Sequence, residues 1–424
     1  MKKIAIIGSG ISGLTCAALL SKEHHITLFE ANDYLGGHTA TVDIEHDGKN
    51  YAIDTGFIVF NDQTYPNFIH LLEQNKVEYK ETEMSFSIHH SETGIEYNGN
   101  NLSSLFAQRK NLINPRFYYF IYEIIRFNRI AKSVFAQPDA NSQTLKDFLD
   151  NNKFSDHFAE HYILPMVAAI WSSSVSEAGN FPLSLFLSFF YHHGLLNIID
   201  RPQWHVIKNG SRSYIPKLSQ NIQEILLSTP VNKIVREQDK VKVYYQDMSC
   251  ADVSCEQTFT EFDEVILACH SDQSLKLLDK PFDEEREILS AFAYQNNEVV
   301  LHTDTRLLPN EKRAWASWNF YYDQNTNQSA TVTYNMNILQ GIDAPETFCV
   351  SLNRTEDIDQ DKILRTFNYA HPVYNEATEK YQKLRNKICG RNHTHFCGSY
   401  WYNGFHEDGV KSALDVCKRF GLTL

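Results

Sequence analysis

Ile4-Ala5-Ile6-Ile7-Gly8-Ser9-Gly10-Ile11-Ser12-Gly13, near the start of the 424-residue chain, decides the fold. Its first four residues are an apolar, β-branched run of the length of a buried strand. The glycines follow at once, and Leu14, Ala17, Ala18 and Leu20 then recur at helical spacing. In a strand, turn and helix of this kind, Gly8 makes the tight turn, Gly10 lets bare backbone meet a pyrophosphate, and Gly13 lets helix and strand pack closely. The helix start at Ile11 and Ser12 offers free N–H groups and the positive end of a dipole to the anion. A second strand, Ile26-Thr27-Leu28-Phe29, ends in Glu30, about twenty residues on, where a carboxylate accepts the hydroxyls of an adenosine ribose. The order of strand, glycines, helix, strand and acid points to a dinucleotide. A glycine-rich turn in an ordinary α/β core is the plain alternative. Glu30 also repels a 2′-phosphate, which argues against NADP.

Composition narrows the remaining choices. The length suits two domains. The formal net charge of -13 argues against nucleic acid as a partner, because binding phosphates needs a basic face. Met1-Lys2-Lys3 and the apolar residues up to Leu20 superficially copy a secretory signal, but three glycines suit a nucleotide-binding strand and helix better. No segment is apolar enough to predict a spanning helix, so a cytoplasmic protein is expected. The eight cysteines are scattered without metal-ligand spacing. Cys250 and Cys255 have no histidine partners, and Cys16, Cys269 and Cys417 read as reduced core thiols. His192-His193-Gly194 invites a metal reading that fails, since adjacent helical histidines point apart; no metal is expected.

Behind Glu30 runs Ala31-Asn32-Asp33-Tyr34-Leu35-Gly36-Gly37-His38-Thr39-Ala40-Thr41. A second glycine pair this close brings more bare backbone to the cofactor than a plain NAD domain needs. With these residues the sequence resembles the superfamily of flavin-containing amine oxidases, protoporphyrinogen oxidases and phytoene-desaturase-like enzymes, bacterial predicted NAD/FAD-binding proteins among them. There an acid, then Gly-Gly-Arg and Ser or Thr, bracket FAD, so the resemblance implies FAD contacts at Ala31, Gly36, Gly37, His38 and Thr39. His38 replaces the usual arginine, and a fixed charge gives way to one that titrates near neutrality. Asp54-Thr55-Gly56-Phe57 resembles the segment under the flavin ring, which implies roles for Thr55, Gly56 and Phe57. By the same resemblance Val231 holds adenine through its backbone, and the Ala268 to His270 turn passes near the pyrophosphate. Gly398 ends a late strand in which Ser399 replaces the usual acid. The helix from Glu407-Asp408-Gly409-Val410 would aim its N-terminus at flavin N1 and the C2 carbonyl. Val231 and Ala268 also read simply as buried strand residues, and Glu407 and Asp408 suit any helix start.

These readings predict an α/β fold. A Rossmann-type (ββα three-layer) FAD-binding domain takes 1–75, 203–280 and 388–424, interleaved with an α+β substrate domain of 76–202 and 281–387. The resemblance implies non-covalent FAD and hydride transfer to flavin N5. No lysine appears in Asn296-Asn297-Glu298-Val299-Val300, where amine oxidases of this kind carry one, and Phe405 stands in place of a cage tyrosine. Both departures favour a desaturase- or dehydrogenase-like enzyme for an apolar, acyl or isoprenoid substrate. A flavin amine oxidase and a non-catalytic flavin-holding sensor or scaffold are the alternatives. No catalytic residue and no electron acceptor is assigned.

One further feature stands out. From Leu105 to Gln137 there are six basic residues (Arg109, Lys110, Arg116, Arg126, Arg129 and Lys132) and a single acid, in an otherwise acidic chain. Phe117, Phe120, Ile121, Ile124, Phe127, Ala131 and Val134 share one face of a helix from Pro115 to Phe135. This reads either as a domain wall with a solvated basic face or as a helix whose apolar face dips into an anionic membrane surface.

Overall fold

The structure is a computed structural model and describes all residues except 137–142, 172–174, 193, 198–200, 247–257, 323–330 and 375. The first strand, Lys3–Ile7, is the centre of a five-stranded parallel sheet. His25–Phe29 and then Glu224–Leu226 lie on one side, Glu264–Leu267 and Thr394–Phe396 on the other. Its three inner strands are buried on both faces, and residues 4–7, 26–29 and 265–267 read as near-continuous apolar runs, as parallel strands do. An antiparallel layer of Val231–Arg236, Val241–Tyr245 and Thr258–Phe262 contributes Val241, Val243 and Phe262 to the same core. The first helix, Ile11–Leu20, packs with the last, His406–Cys417, as a helical layer. This is the ββα arrangement expected. Its core also takes in Ile288, Leu289 and Phe292, past the boundary expected at 280.

A second sheet of seven strands belongs to the substrate side, in the order Ile363–Val373, Ala293–His302, Cys349–Leu352, Thr331–Asn335, Trp318–Tyr322, Phe86–His90 and Glu96–Asn98. Its pairings are antiparallel except between Trp318–Tyr322 and Phe86–His90. Lys312–Ala314 forms a 3₁₀ turn, and the strand that follows begins at Trp318. Cys349–Leu352, too short to stand out in the sequence, sits inside the sheet.

The Pro115–Phe135 helix forms as expected, and its burial chooses between its two readings. Phe117, Phe120, Phe127 and Ala131 are at most 3 % exposed and pack in the substrate-side core. The face expected to enter a lipid surface is therefore occupied by protein. Arg126 is also engaged, with its guanidinium 4.3 Å from the Phe154 ring centre and hydrogen-bonded to the Asn152 carbonyl. Among the described residues no helix is long and apolar enough to cross a membrane.

The domains meet around Asp54, which is fully buried at the end of the Lys49–Asp54 strand. Its carboxylate accepts from the Thr41 hydroxyl (2.6 Å), the Ser211 N–H and hydroxyl (2.9 Å each) and the Gln340 amide (2.9 Å). The Asp54 N–H in turn donates to Gln340 Oε1 at 2.8 Å. Burial pushes the carboxyl up to about 6 against the pull of these donors. Gly210, at φ +88, lets Ser211 approach, since a Cβ there would lie 2.4 Å from Thr41 Cγ2. Asp54→Ala would strand these donors in the interior, so we expect a loss of about 3 kcal/mol in urea unfolding. Asp54→Asn, which retains an acceptor oxygen, should lose less.

Candidate functional site

A cavity of about 1020 Å³ runs from the carboxyl ends of the parallel strands into the substrate side. This is at the upper end of what one small ligand occupies, and suits a dinucleotide with a substrate beside it. At the first end lie Gly8, Gly10, Ile11, Ser12, Glu30, Ala31, Gly36, Gly37 and His38. Gly8 adopts φ +101, and a Cβ on it would stand 3.1 Å from the Ala268 carbonyl oxygen. A Cβ on Gly13 would sit 1.9 Å from the Gly8 carbonyl oxygen, so Gly13 serves helix–strand packing and does not line the cavity. Gly10 differs from both. Its φ of -62 and ψ of 176 suit any residue, and a Cβ there meets nothing within 4 Å. The fold places no demand for glycine at this point, whereas an anion seated on the uncapped start of the first helix would.

Glu30 is held in place by Ser9, a residue that the glycine spacing alone did not single out. The Ser9 N–H and hydroxyl both donate to Glu30 Oε2 (3.0 and 2.6 Å), and the Asn32 N–H donates to Oε1 (2.9 Å). Ser9 Oγ accepts from the Gly36 N–H at 3.1 Å, which ties the two glycine turns together. Pro230, Val231, Ala268, His270 and Lys276 also line the cavity.

His38 sits with His371 and His270, at ring-centre distances of 5.5 and 5.9 Å, and with Tyr369 at 5.4 Å. Its Nε2 has no hydrogen-bond partner. Burial first, then His371 and His270, push His38 down to about 3. The expectation of titration near neutrality is thus corrected: in this setting the imidazole is neutral. Burial lowers His270 and His371 too. Asn353 donates to Asn297 Oδ1 (2.9 Å), so Asn297 Nδ2 donates to His371 Nδ1 (2.8 Å), which leaves the His371 proton on Nε2. Spacing could not reveal this cluster, because its members come from three distant segments.

Other expected contacts fall elsewhere. Gly56, Phe57 and Gly398 line the cavity, but Thr39 and Thr55 do not. Thr39 binds the Tyr214 hydroxyl and His406 Nε2, and Thr55 binds the Tyr369 hydroxyl at 3.0 Å. Glu407, Asp408, Gly409 and Val410 also stay off the lining. Glu407 accepts from the Asn67 and Phe68 N–H groups at the start of the Pro66–Gln74 helix. Asp408 caps its own helix through the Phe405 N–H (2.9 Å). Gly409 is pressed against Ile11, where a Cβ would meet Cγ2 at 2.6 Å, and Val410 is core. Gly404, Phe405 and His406 reach the cavity in their place, and His406 is stacked on Phe57 at 3.5 Å.

Beyond this point the lining turns apolar, with Met84, Phe86, Met166, Ile170, Phe189, Leu195, Trp318 and Leu339. Among the described lining residues the carboxylate and the ammonium, Glu30 and Lys276, belong to the dinucleotide end. Phe405 stacks on Phe189 at 5.5 Å and joins the two halves. Among the described residues no His, Cys, Asp and Glu group could hold a metal. Cys250, Cys255 and His193 lie outside the described residues, as does the His192 side chain. Cys16 and Cys417 are buried free thiols and Cys269 is partly buried.

The uncapped helix start, the open space at Gly10, the held Glu30 and the unpartnered Nε2 of His38 fit a dinucleotide such as FAD. Comparison with known proteins agrees. The sequence profile described as "Flavin containing amine oxidoreductase" matches residues 11–347. A 1-hydroxycarotenoid 3,4-desaturase of Flavobacterium sp. (strain P99-3) is 34% identical over 98 residues, a stretch that spans 23% of this chain and 18% of that protein. The fold is similar to that of the CLA-producing fatty acid isomerase from P. acnes, with a TM-score of 0.67 and 17% identity, over 99% of this chain and 98% of that one. It is also similar to cyclohexylamine oxidase from Brevibacterium oxydans IH-35A, with a TM-score of 0.66 and 14% identity, over 99% of each chain.

Two outcomes follow from this geometry. Gly10→Val should fold normally by circular dichroism yet retain no flavin after dialysis, whereas Gly13→Val should fail to fold. The second concerns pH. With its folded pKa far below the unfolded value of about 6.5, His38 binds fewer protons in the native state, so its contribution to stability is lost as pH falls from about 6.5 toward 3. Asp54 and Asp408, pushed up by burial to about 6 and about 7, act in the opposite sense. His38→Gln isolates the histidine: between pH 7 and 5 the flavin-free variant should lose less stability than the wild type, by at most about 1.4 kcal/mol per pH unit.

Proposed function

The chain belongs to the flavin containing amine oxidoreductases, whose profile spans most of its length, and from that premise we propose that it is an FAD-dependent oxidoreductase acting on an apolar, lipid-like substrate, acyl or isoprenoid. The observation that carries this reading is the chamber beyond Phe405, whose lining is aliphatic and aromatic. A long hydrocarbon gains about 25 cal/mol for each Å² of apolar surface buried there. When bound, FAD supplies the hydride acceptor at its N5.

The protein's own residues do the holding. The first helix would seat the pyrophosphate, Glu30 would take the ribose hydroxyls and Val231 the adenine edge. The His371 Nε2–H is set by Asn297 as a donor into the cavity region. The wall of Met166, Ile170 and Phe189 keeps water from the reacting C–H bond. Removal of a hydride from carbon in such a chamber calls for alignment rather than for a charged anchor. The buried Asn297, bonded to His371 and Asn353, lies on the Ala293–His302 strand, which carries no lysine.

The local likeness to a carotenoid desaturase supports the same substrate class. The family's name supports amines as the second class, and both are decided together. Flavin-loaded protein, kept free of air, should lose its yellow absorbance with acyl or isoprenoid lipids and keep it with amines. Bleaching by amines alone would overturn the lipid reading, and bleaching by neither would favour a flavin-holding sensor or scaffold. Met84→Glu places a charge on the chamber wall and should slow bleaching by lipid roughly tenfold or more while flavin content stays unchanged.

A further inference from the structure

Seven of the thirteen exposed large apolar or aromatic side chains among the described residues lie between positions 102 and 125. That concentration is not what scattered surface residues give. Ile113 is 87% exposed, and Tyr118, Tyr122 and Ile125 follow on the outer side of the Pro115–Phe135 helix. Spacings of four, three, four and three residues place Tyr118, Tyr122, Ile125, Arg129 and Lys132 on one stripe of that helix. The stripe is apolar and aromatic in its first half and basic in its second. The Tyr118 hydroxyl donates to the Leu112 carbonyl at 2.9 Å, which fastens the turn carrying Ile113, Arg109 and Lys110 to the helix.

The charge of this surface is stronger than the sequence alone suggests. The single acid of the span, Glu123, is turned inward and fully buried, where it accepts from the Ser155 N–H and hydroxyl. Arg109, Lys110, Arg116, Arg129 and Lys132 are exposed, and among the described residues none has a carboxylate within ion-pairing distance.

We propose that this face, the outer side of the Pro115–Phe135 helix with the turn at Ile113, docks on a lipid surface that carries anionic headgroups. Tyrosines and isoleucines beside arginines and lysines match the interfacial layer of a bilayer, with rings at headgroup level and cations toward the phosphates. The occupant is a lipid surface and not a second copy of the chain, because a twofold interface would set these five cations against the same five. The overall charge of -13 then orients the molecule. Acidic residues elsewhere on the surface are screened beyond about 8 Å at physiological salt. On the inner side the same helix packs on Leu183–His192, which contributes Phe189 to the cavity, so docking brings the apolar chamber close to the lipid.

The test is sedimentation of the flavin-loaded full chain with vesicles, which needs no turnover and is independent of the substrate reading. Vesicles of equimolar phosphatidylcholine and phosphatidylserine should carry the protein down at low ionic strength, and vesicles of phosphatidylcholine alone should not. About 1 M salt, where screening acts within about 3 Å, should release it. The triple variant Arg116→Glu, Arg129→Glu, Lys132→Glu should bind at least roughly tenfold more weakly, since each cation near such a surface is worth about a factor of five. Ile113→Ser with Tyr118→Ser and Tyr122→Ser should also weaken binding. Lys22→Glu, Lys217→Glu and Lys280→Glu, exposed lysines elsewhere, should leave it unchanged. The proposal is overturned if the wild type stays in the supernatant at low salt, if neutral vesicles bind it equally, or if the control triple is as damaging. It is also overturned if light scattering shows a dimer that the Arg116, Arg129 and Lys132 reversals dissociate, since the face would then be a contact between copies.

Discussion

The buried carboxylate of Asp54 is the point through which the two halves of the molecule hold a common geometry. It gathers donors from Thr41 on the neighbouring strand, Ser211 where the chain re-enters the dinucleotide side, and Gln340 on the substrate side. A buried acceptor of this kind is costly without its partners and directional with them. The segment from His38 to Phe57, closed by the Phe57 N–H on the His38 carbonyl, is thereby fixed against both halves. That segment carries His38, Gly56 and Phe57, so the relation between cofactor cradle and substrate chamber is set by hydrogen bonds as well as by apolar packing.

Along the cavity the chemistry changes in a definite order. At the strand ends it is polar and built from backbone, with a helix start and Glu30. In the middle stand the imidazoles of His38, His270 and His371, which burial keeps neutral. Beyond Phe405 and His406 it is largely aliphatic and aromatic. Two adjoining spaces of opposite character thus share one cavity. The Pro115–Phe135 helix repeats this division across its own axis, with phenylalanines packed inward and tyrosines and cations outward.

How legible this was depended on the distance over which each feature is encoded. The βαβ unit and the long helix were readable because glycine spacing and helical periodicity act within a few residues. Glu30 belonged with them, since its place follows from the length of one strand–helix–strand turn. Ser9 lay inside the same motif, yet its bond to Glu30 spans the two strand ends and needs the sheet to form. Glu407 and Asp408 were recognisable as helix-start residues, but their direction was not. Glu407 turned to the Pro66–Gln74 helix because two helix termini meet there, and that meeting is a property of packing.

By itself, then, the sequence determined the dinucleotide fold, the order of its strands near the amino end, the helical face of residues 115–135 and the chain's acidic character. The tertiary structure alone decided what met across long separations. It brought His38 to His270 and His371, Asp54 to Gln340 across 286 residues, and the phenylalanine face of the long helix into the core. Local preferences are additive along the chain and visible as periods. Burial, the pKa shifts it imposes and the choice of which helical face is covered arise only when distant segments exclude water from one another.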